Sequence, residues 1–332
     1  QRFDEHARLL ELVEHGVVGL QNRLAWRGND LAEAAATRGF GGRAGLEHRL
    51  SGLGRLAWLK DLAARARGDA ASGAVAAIAE ELAALLARIR QGPVRLALIG
   101  DAAGDDALHQ AALAAWDGHA RPAAFDPALT RTPLPAGAPT APTAYTTATP
   151  VNYNALVLPA VPMNHPDAAA LVVAGRYLAN NFLHTRIREK GGAYGSRASF
   201  SASLATFVLS SYRDPRLTAT FDDFRSGLGW LAAIEDSDET DRLRREAILG
   251  VIASIDRPAS PAGEGRQRFV GDLMGYGPSV VNPYRARILR VTVDDIRRAA
   301  EAWLRPGAGV AAVVTSGENL AASGLGWEAV TV

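Results

Sequence analysis

A chain of 332 residues with 36 Lys and Arg against 35 Asp and Glu carries a net charge of only +1, and 48% of it is hydrophobic. That length is enough for roughly two domains, and near-neutrality gives no electrostatic reason to expect nucleic acid or a membrane surface as partner. There is no cysteine, which excludes disulfides and thiol catalysis, and no apolar run reaches the ~20 residues that cross a membrane.

Periodicity predicts an amphipathic helix over residues 4–27, with Leu9, Val13, Val17, Leu20 and Leu24 on one face and Asp4 as N-cap. Arg27-Gly28-Asn29-Asp30 breaks it before a short alanine-rich helix. Two more helices carry Leu46, Leu50, Leu53 and Leu62, and then Val75, Ile78, Leu82, Leu85 and Ile89. Residues 94–99, bounded by Gly-Pro and Gly-Asp, read as the first strand, followed by a helix from about Asp105 to Trp116. One strand among so many helices is too little sheet for a whole domain. Residues 1–120 are therefore expected to be the remainder of an α+β domain whose partner strands lie upstream, the missing initiator Met at Gln1 reading as a processed or truncated end.

From 121 to 150 the composition turns to Pro, Ala and Thr with hardly any charge, which reads as an extended linker between domains. Residues 151–332 then give strand 152–161, a long helix opened by Pro166-Asp167, and an antiparallel strand pair over 193–212. Helices over 217–234, 241–255, 265–275 and 293–304 follow, the last capped by Thr292, and a strand over 310–315 closes the domain.

Chemistry concentrates where the long helix ends, in Leu183-His184-Thr185-Arg186-Ile187-Arg188-Glu189-Lys190-Gly191-Gly192-Ala193-Tyr194-Gly195. Leu171, Ala174, Leu178 and Phe182 keep near-helical spacing, and Arg186, Arg188 and Lys190 meet the negative end of the helix dipole. Gly191 and Gly192 supply the left-handed turn that ends a helix, and with Gly195 they are the loop-shaping candidates. On its own this is a capped helix entering a hairpin; the functional alternative is a turn that holds Arg188 and Tyr194 as fixed hydrogen-bonding groups.

Ile187 to Gly195, Ser211-Tyr212-Arg213-Asp214-Pro215, Ala253 to Pro258 and Val291 to Ile296 resemble the C-terminal half of zinc metallopeptidases of the pitrilysin/insulinase class (family M16), in its subgroup C, that of presequence protease and falcilysin. Looser similarity continues upstream in Arg38-Gly39-Phe40 and Leu50-Ser51-Gly52-Leu53. The resemblance implies an α+β fold of two M16-like domains, the first incomplete, each an antiparallel sheet with helices on one face. It implies a chamber that admits unstructured peptides, with zinc supplied by an N-terminal half and the peptide backbone held by the residues matching Arg188 and Tyr194. The chain alone is expected to be catalytically silent and to bind no zinc.

Such zinc chemistry needs H-x-x-E-H on a helix, and none of the seven histidines lies in that motif. Glu5-His6 and Glu14-His15 imitate it, but their histidines fall on opposite sides of a helix turning about 100° per residue. Gly39-Phe40-Gly41-Gly42-Arg43-Ala44 lacks the preceding strand of a dinucleotide loop. Asp101, Asp105 and Asp106 suit a helix start better than a cation site, and the serines of 199–203 lack a histidine partner. The expected partners are an unstructured peptide and the N-terminal half, with self-association of the isolated chain if an apolar face is left open. The alternative is a non-catalytic M16-like peptide-binding or scaffold subunit. Richness in Ala, Arg and Gly is read as bacterial, giving the cytoplasm, or else the periplasm, as the expected compartment.

Overall fold

A computed structural model describes residues 5–67, 71–91, 96–100, 105–116 and 141–332. In chain order these form α1 (His6–Thr37), α2 (Gly42–Ser51), α3 (Leu53–Arg67), α4 (Ala71–Gln91) and α5 (Asp105–Trp116), then β1 (Thr143–Thr146) and β2 (Tyr153–Pro159). Helix α6 (Ala168–Leu178) runs directly into a π-helical segment, Ala179–Glu189, before β3 (Gly195–Ser201) and β4 (Thr206–Tyr212). Helices α7 (Thr218–Ala232), α8 (Asp238–Ile255), α9 (Pro261–Met274), α10 (Pro278–Ile288) and α11 (Val293–Trp303) precede β5 (Val310–Thr315), α12 (Gly317–Ser323) and β6 (Glu328–Thr331).

The chain divides into two compact units. One comprises the described residues of 1–15, 59–132 and 257–281, and the other those of 16–58, 133–256 and 282–332. The first is helical, with Leu59, Leu62, Ala63, Ala66, Val75 and Ala79 buried, and Arg67 donates to Glu14 at 3.0 and 2.7 Å.

The second unit is built on a six-stranded sheet in the order β3-β4-β2-β5-β1-β6. The pairs β3–β4, β4–β2 and β2–β5 are antiparallel, whereas β1 runs parallel to both β5 and β6. Side chains alternate across a strand, and here both faces are covered. Leu156, Leu158, Phe207, Leu209, Ala311 and Val313 join the core formed with α6, α7, α8 and α11. Tyr153, Ala155, Val157, Val208, Ala312 and Val314 are also buried, on the opposite face. There the second half of α1 meets the sheet: the Tyr153 hydroxyl donates to the Ala25 carbonyl at 2.8 Å, and the Ser210 hydroxyl to Glu33 Oε1 at 2.6 Å. Burial pushes the Glu33 carboxyl up, against the charge of Arg197.

The α+β class stands, with differences of physical origin. The sheet is mixed, and its second face is covered rather than open. Residues 16–58 belong with it, and 257–281 with the other unit, while the division between 132 and 133 falls inside the expected linker of 121–150. Residues 121–140 of the expected linker lie outside the described residues, but towards its end lies strand β1, threaded between β5 and β6. Thr and Tyr favour strands, and here they outweigh the prolines around them. The strand expected over 94–99 is absent from its described part: 96–100 have no regular structure, and Leu96, Leu98 and Ile99 are exposed. A β-run forms only with a partner ladder. At Arg27 the backbone leaves helical geometry (φ −138°, ψ 35°), so α1 is two helices meeting at a kink where the break is expected; the expected cap Asp4 lies outside the described residues. Thr292 does cap α11, in a box with Asp295.

His48 on α2 is 8% exposed, and its Nδ1 is buried without a hydrogen-bond partner. Burial, aided by the charge of Arg38, lowers its pKa from 6.5 to about 4. Between those values the unfolded chain binds the proton and the folded one does not, so stability falls as pH drops through this window. From pH 7 to 4.5 the residue removes about 2–3 kcal/mol. Urea midpoints should therefore drop less on acidification for His48→Leu than for the unaltered protein; equal drops would refute the assignment.

Candidate functional site

The site is the turn between the long helix and β3. Helix α6 is fixed by burial of Leu171, Ala174, Tyr177 and Leu178, and Tyr177 and Phe182 pack on the Trp230 ring at 5.6 and 5.3 Å. From Ala179 the helix widens. The Asn181 side-chain amide takes the Tyr177 carbonyl at 2.9 Å, competing for the oxygen an α-helical Asn181 N–H would use. Further on, Lys190 N–H reaches back five residues to the Thr185 carbonyl at 3.0 Å, the π pattern, which is rare and frequent at functional sites. Leu183 and Ile187 are fully buried, which turns Arg186, Arg188, Glu189 and Lys190 outward.

The turn is closed by backbone and by one guanidinium. Gly192 adopts φ +80°, its N–H donates to the Arg188 carbonyl at 3.1 Å, and Ala193 N–H donates to the Ile187 carbonyl at 3.1 Å. This is a helix C-terminal closure of the left-handed type, one residue wider than usual. Beneath it passes Arg216, which donates to the Arg186 carbonyl at 3.3 Å and to Asp223 at 3.0 Å. A Cβ on Gly191 would sit 2.0 Å from Arg216 Nη2 and 2.5 Å from the Ile187 carbonyl oxygen, so this position admits only glycine. Gly195 has open space around it, and its expected loop-shaping role has no steric basis.

Arg216 is held from the strand side by Asp214, which is fully buried. The carboxylate accepts from the Arg216 N–H at 2.9 Å and the Thr220 hydroxyl at 2.7 Å, and burial pushes its pKa up against these contacts and the Arg216 charge. Asn152 pairs its backbone with Asp214 in both directions at 2.7 and 2.9 Å. Arg213 lies in the left-handed region at φ 49°, with its guanidinium 5.3 Å above the Trp26 ring. Through the buried Asp214, the Tyr-Arg-Asp-Pro stretch serves as the footing of the turn.

On that footing Arg188 and Tyr194 are both exposed. Tyr194 continues the β3–β4 ladder through its N–H to the Tyr212 carbonyl at 3.0 Å, and its ring stands edge-on to Tyr212 at 5.7 Å with 72% of the residue exposed. Arg188 Nη1 lies 3.3 Å from His184 Nε2, and His184 Nδ1 lies 3.3 Å from Glu189 Oε1. Among the described residues no hydrogen bond or cation–π contact joins Arg188 to Tyr194, and both side chains stand exposed on one turn. Composition and spacing do not single out His184, Arg216 or Asp214. An acid–proline step with an arginine beside it is the only available signal. Among the described residues no three His, Cys, Asp or Glu side chains lie together as metal ligands.

The family model described as PreP C-terminal domain matches residues 161–313, a span that includes the whole turn and its footing. The chain is 28% identical over 326 residues to the mitochondrial presequence protease of Yarrowia lipolytica, covering 98% of this chain and 31% of that protein. It is 35% identical over 178 residues to that of Emericella nidulans, covering 54% of this chain and 16% of the relative. It thus spans less than a third of the curated relatives' length. Among solved structures, an M16-like peptidase from Alicyclobacillus acidocaldarius superposes with TM-score 0.59 at 13% identity, over 95% of this chain and 72% of that one. The peptidase M16 inactive domain from Pseudomonas fluorescens gives 0.58 at 17%, over 94% and 70%. These identities speak to the fold. The expected bacterial cytoplasm is overturned: the relatives named above are eukaryotic and named as mitochondrial, and richness in Ala, Arg and Gly carries no address. Residues 161–313 match the PreP C-terminal domain, and together with the relatives this makes the chain similar to the C-terminal portion of a presequence protease.

Proposed function

We propose that this chain is the peptide-holding portion of a zinc metalloendopeptidase that degrades unstructured peptides in a closed chamber. Arg188 donates charged hydrogen bonds to a carbonyl oxygen of an extended peptide, and the Tyr194 hydroxyl adds another. Aimed at the oxygen where charge develops, the pair lowers the barrier as oxyanion-hole donors do. The zinc and its ligands are placed in an N-terminal half outside this chain, as the resemblance implies, the sequence here having no H-x-x-E-H motif. That half and the peptide are the partners. What this chain contributes is binding and orientation.

The observation that supports this reading most directly is the pairing of exposure with rigidity. Arg188 and Tyr194 stand in solvent, while the backbone under them is tied by Arg216 to Asp223 and the Arg186 carbonyl. A group held before the substrate arrives loses little entropy on binding. A surface with only a structural task gains nothing from such a footing.

In the peptidase that contains this chain, Arg188→Ala is expected to lower kcat/KM for an unstructured peptide by about 10²-fold and Tyr194→Phe by about tenfold, as for lost oxyanion donors. Zinc content should stay unchanged in both, and full turnover by both variants would rule the assignment out. Gly191→Ala, which forces Arg216 out of its place, is expected to lower the thermal midpoint and turnover together. An unaltered midpoint would mean that Arg216 is not the strut described above.

A further inference from the structure

We infer that His184 is a positioning residue for Arg188, locked in one tautomer between Arg188 and Glu189. The inference deepens, and rests on, the reading of Arg188 as a peptide ligand. His184 Nε2 faces Arg188 Nη1 at 3.3 Å, and its Nδ1 faces Glu189 Oε1 at 3.3 Å. A guanidinium has only donors and an ionised carboxylate only acceptors. The groups on either side of the ring therefore match one state: neutral imidazole, with the proton on Nδ1 toward the Glu189 carboxylate at ion-pair distance and the Nε2 lone pair accepting from Arg188. Protonated imidazole would turn an N–H toward the guanidinium. The other neutral tautomer would face a lone pair toward the carboxylate and a proton toward Arg188.

The π turn makes this three-residue brace available. In an α-helix a residue meets its neighbours at i+3 and i+4, while i+5 lies about 140° away around the axis. In the π closure, where Lys190 N–H reaches the Thr185 carbonyl, the residue five positions on returns to the same side. His184 can then touch Arg188 at i+4 and Glu189 at i+5 at once. The widening of the helix thereby acquires a purpose: it puts a carboxylate behind the imidazole that orients the substrate-facing arginine. All three side chains are exposed or half-exposed, and contacts of this kind add little to stability. Their effect falls on where the guanidinium points.

The test uses the full peptidase and compares His184→Ala, His184→Gln, Arg188→Ala and the His184→Ala/Arg188→Ala double variant. His184→Ala should lower kcat/KM for an unstructured peptide about tenfold with an unchanged thermal midpoint, and Gln, which retains an acceptor, should restore part of it. In the double variant the His184 change should add nothing beyond Arg188→Ala, because its action passes through that side chain. Nitrogen-15 shifts of the His184 ring in the neutral state should report the Nδ1–H tautomer. An additive double variant, a silent His184→Ala, or an Nε2–H tautomer overturns the positioning role while leaving Arg188 in place. Normal turnover by Arg188→Ala instead removes the parent reading, and this one with it.

Discussion

The site depends on one guanidinium packed where a side chain would otherwise be. Arg216 lies against the missing Cβ of Gly191, touches the carbonyl end of the π segment at Arg186, and reaches Asp223 on α7. Its own backbone N–H donates to the buried carboxylate of Asp214. A carboxylate removed from water is costly unless paired and hydrogen-bonded; Thr220 and the Arg216 charge meet that need. The buried charge thus couples three elements, the end of β4, the start of α7 and the end of the π segment, into one rigid body. The exposed residues inherit their geometry from it.

This arrangement separates the two tasks of the Tyr-Arg-Asp-Pro and Arg-x-Lys-Gly-Gly-Ala-Tyr stretches. The first turns the Asp214 carboxylate inward, where Arg216 N–H and Thr220 donate to it; the second points Arg188 and Tyr194 outward. A peptide can be bound with little reorganisation only if the donors it meets were not recruited to hold the fold. Here Gly191 and Gly192 carry the mechanical work that Arg188 and Tyr194 are spared.

What the sequence displays and what it hides follow from range. Elements that close on themselves were legible: α11 announces its cap at Thr292 and box partner Asp295, and the β3–β4 pair shows its alternation. The turn was legible too, because glycine pairs and a basic last turn are local signals. The π widening was not, since Leu171, Ala174, Leu178 and Phe182 fit α spacing, and the Asn181 contact that unwinds it exists only in three dimensions. Nor could the role of 16–58 be read, because an amphipathic helix does not declare which surface it will cover. Residues 96–100 show the reverse error, an apolar run that needs a partner it does not have among the described residues.

Strand β1 has a consequence for the order in which the protein is made. Its ladder partners are β5 and β6 alone, and Thr143 pairs with Ala312 and Glu328, roughly 170 residues later. Contacts of such separation form late, after the loop between them has been ordered. On a ribosome moving from the N-terminus, β2, β3 and β4 can zip together while Thr143 to Thr146 wait as an unpaired edge. The β1 side of the finished sheet is therefore completed last, and β1 stays unpaired while the residues between it and β5 are made.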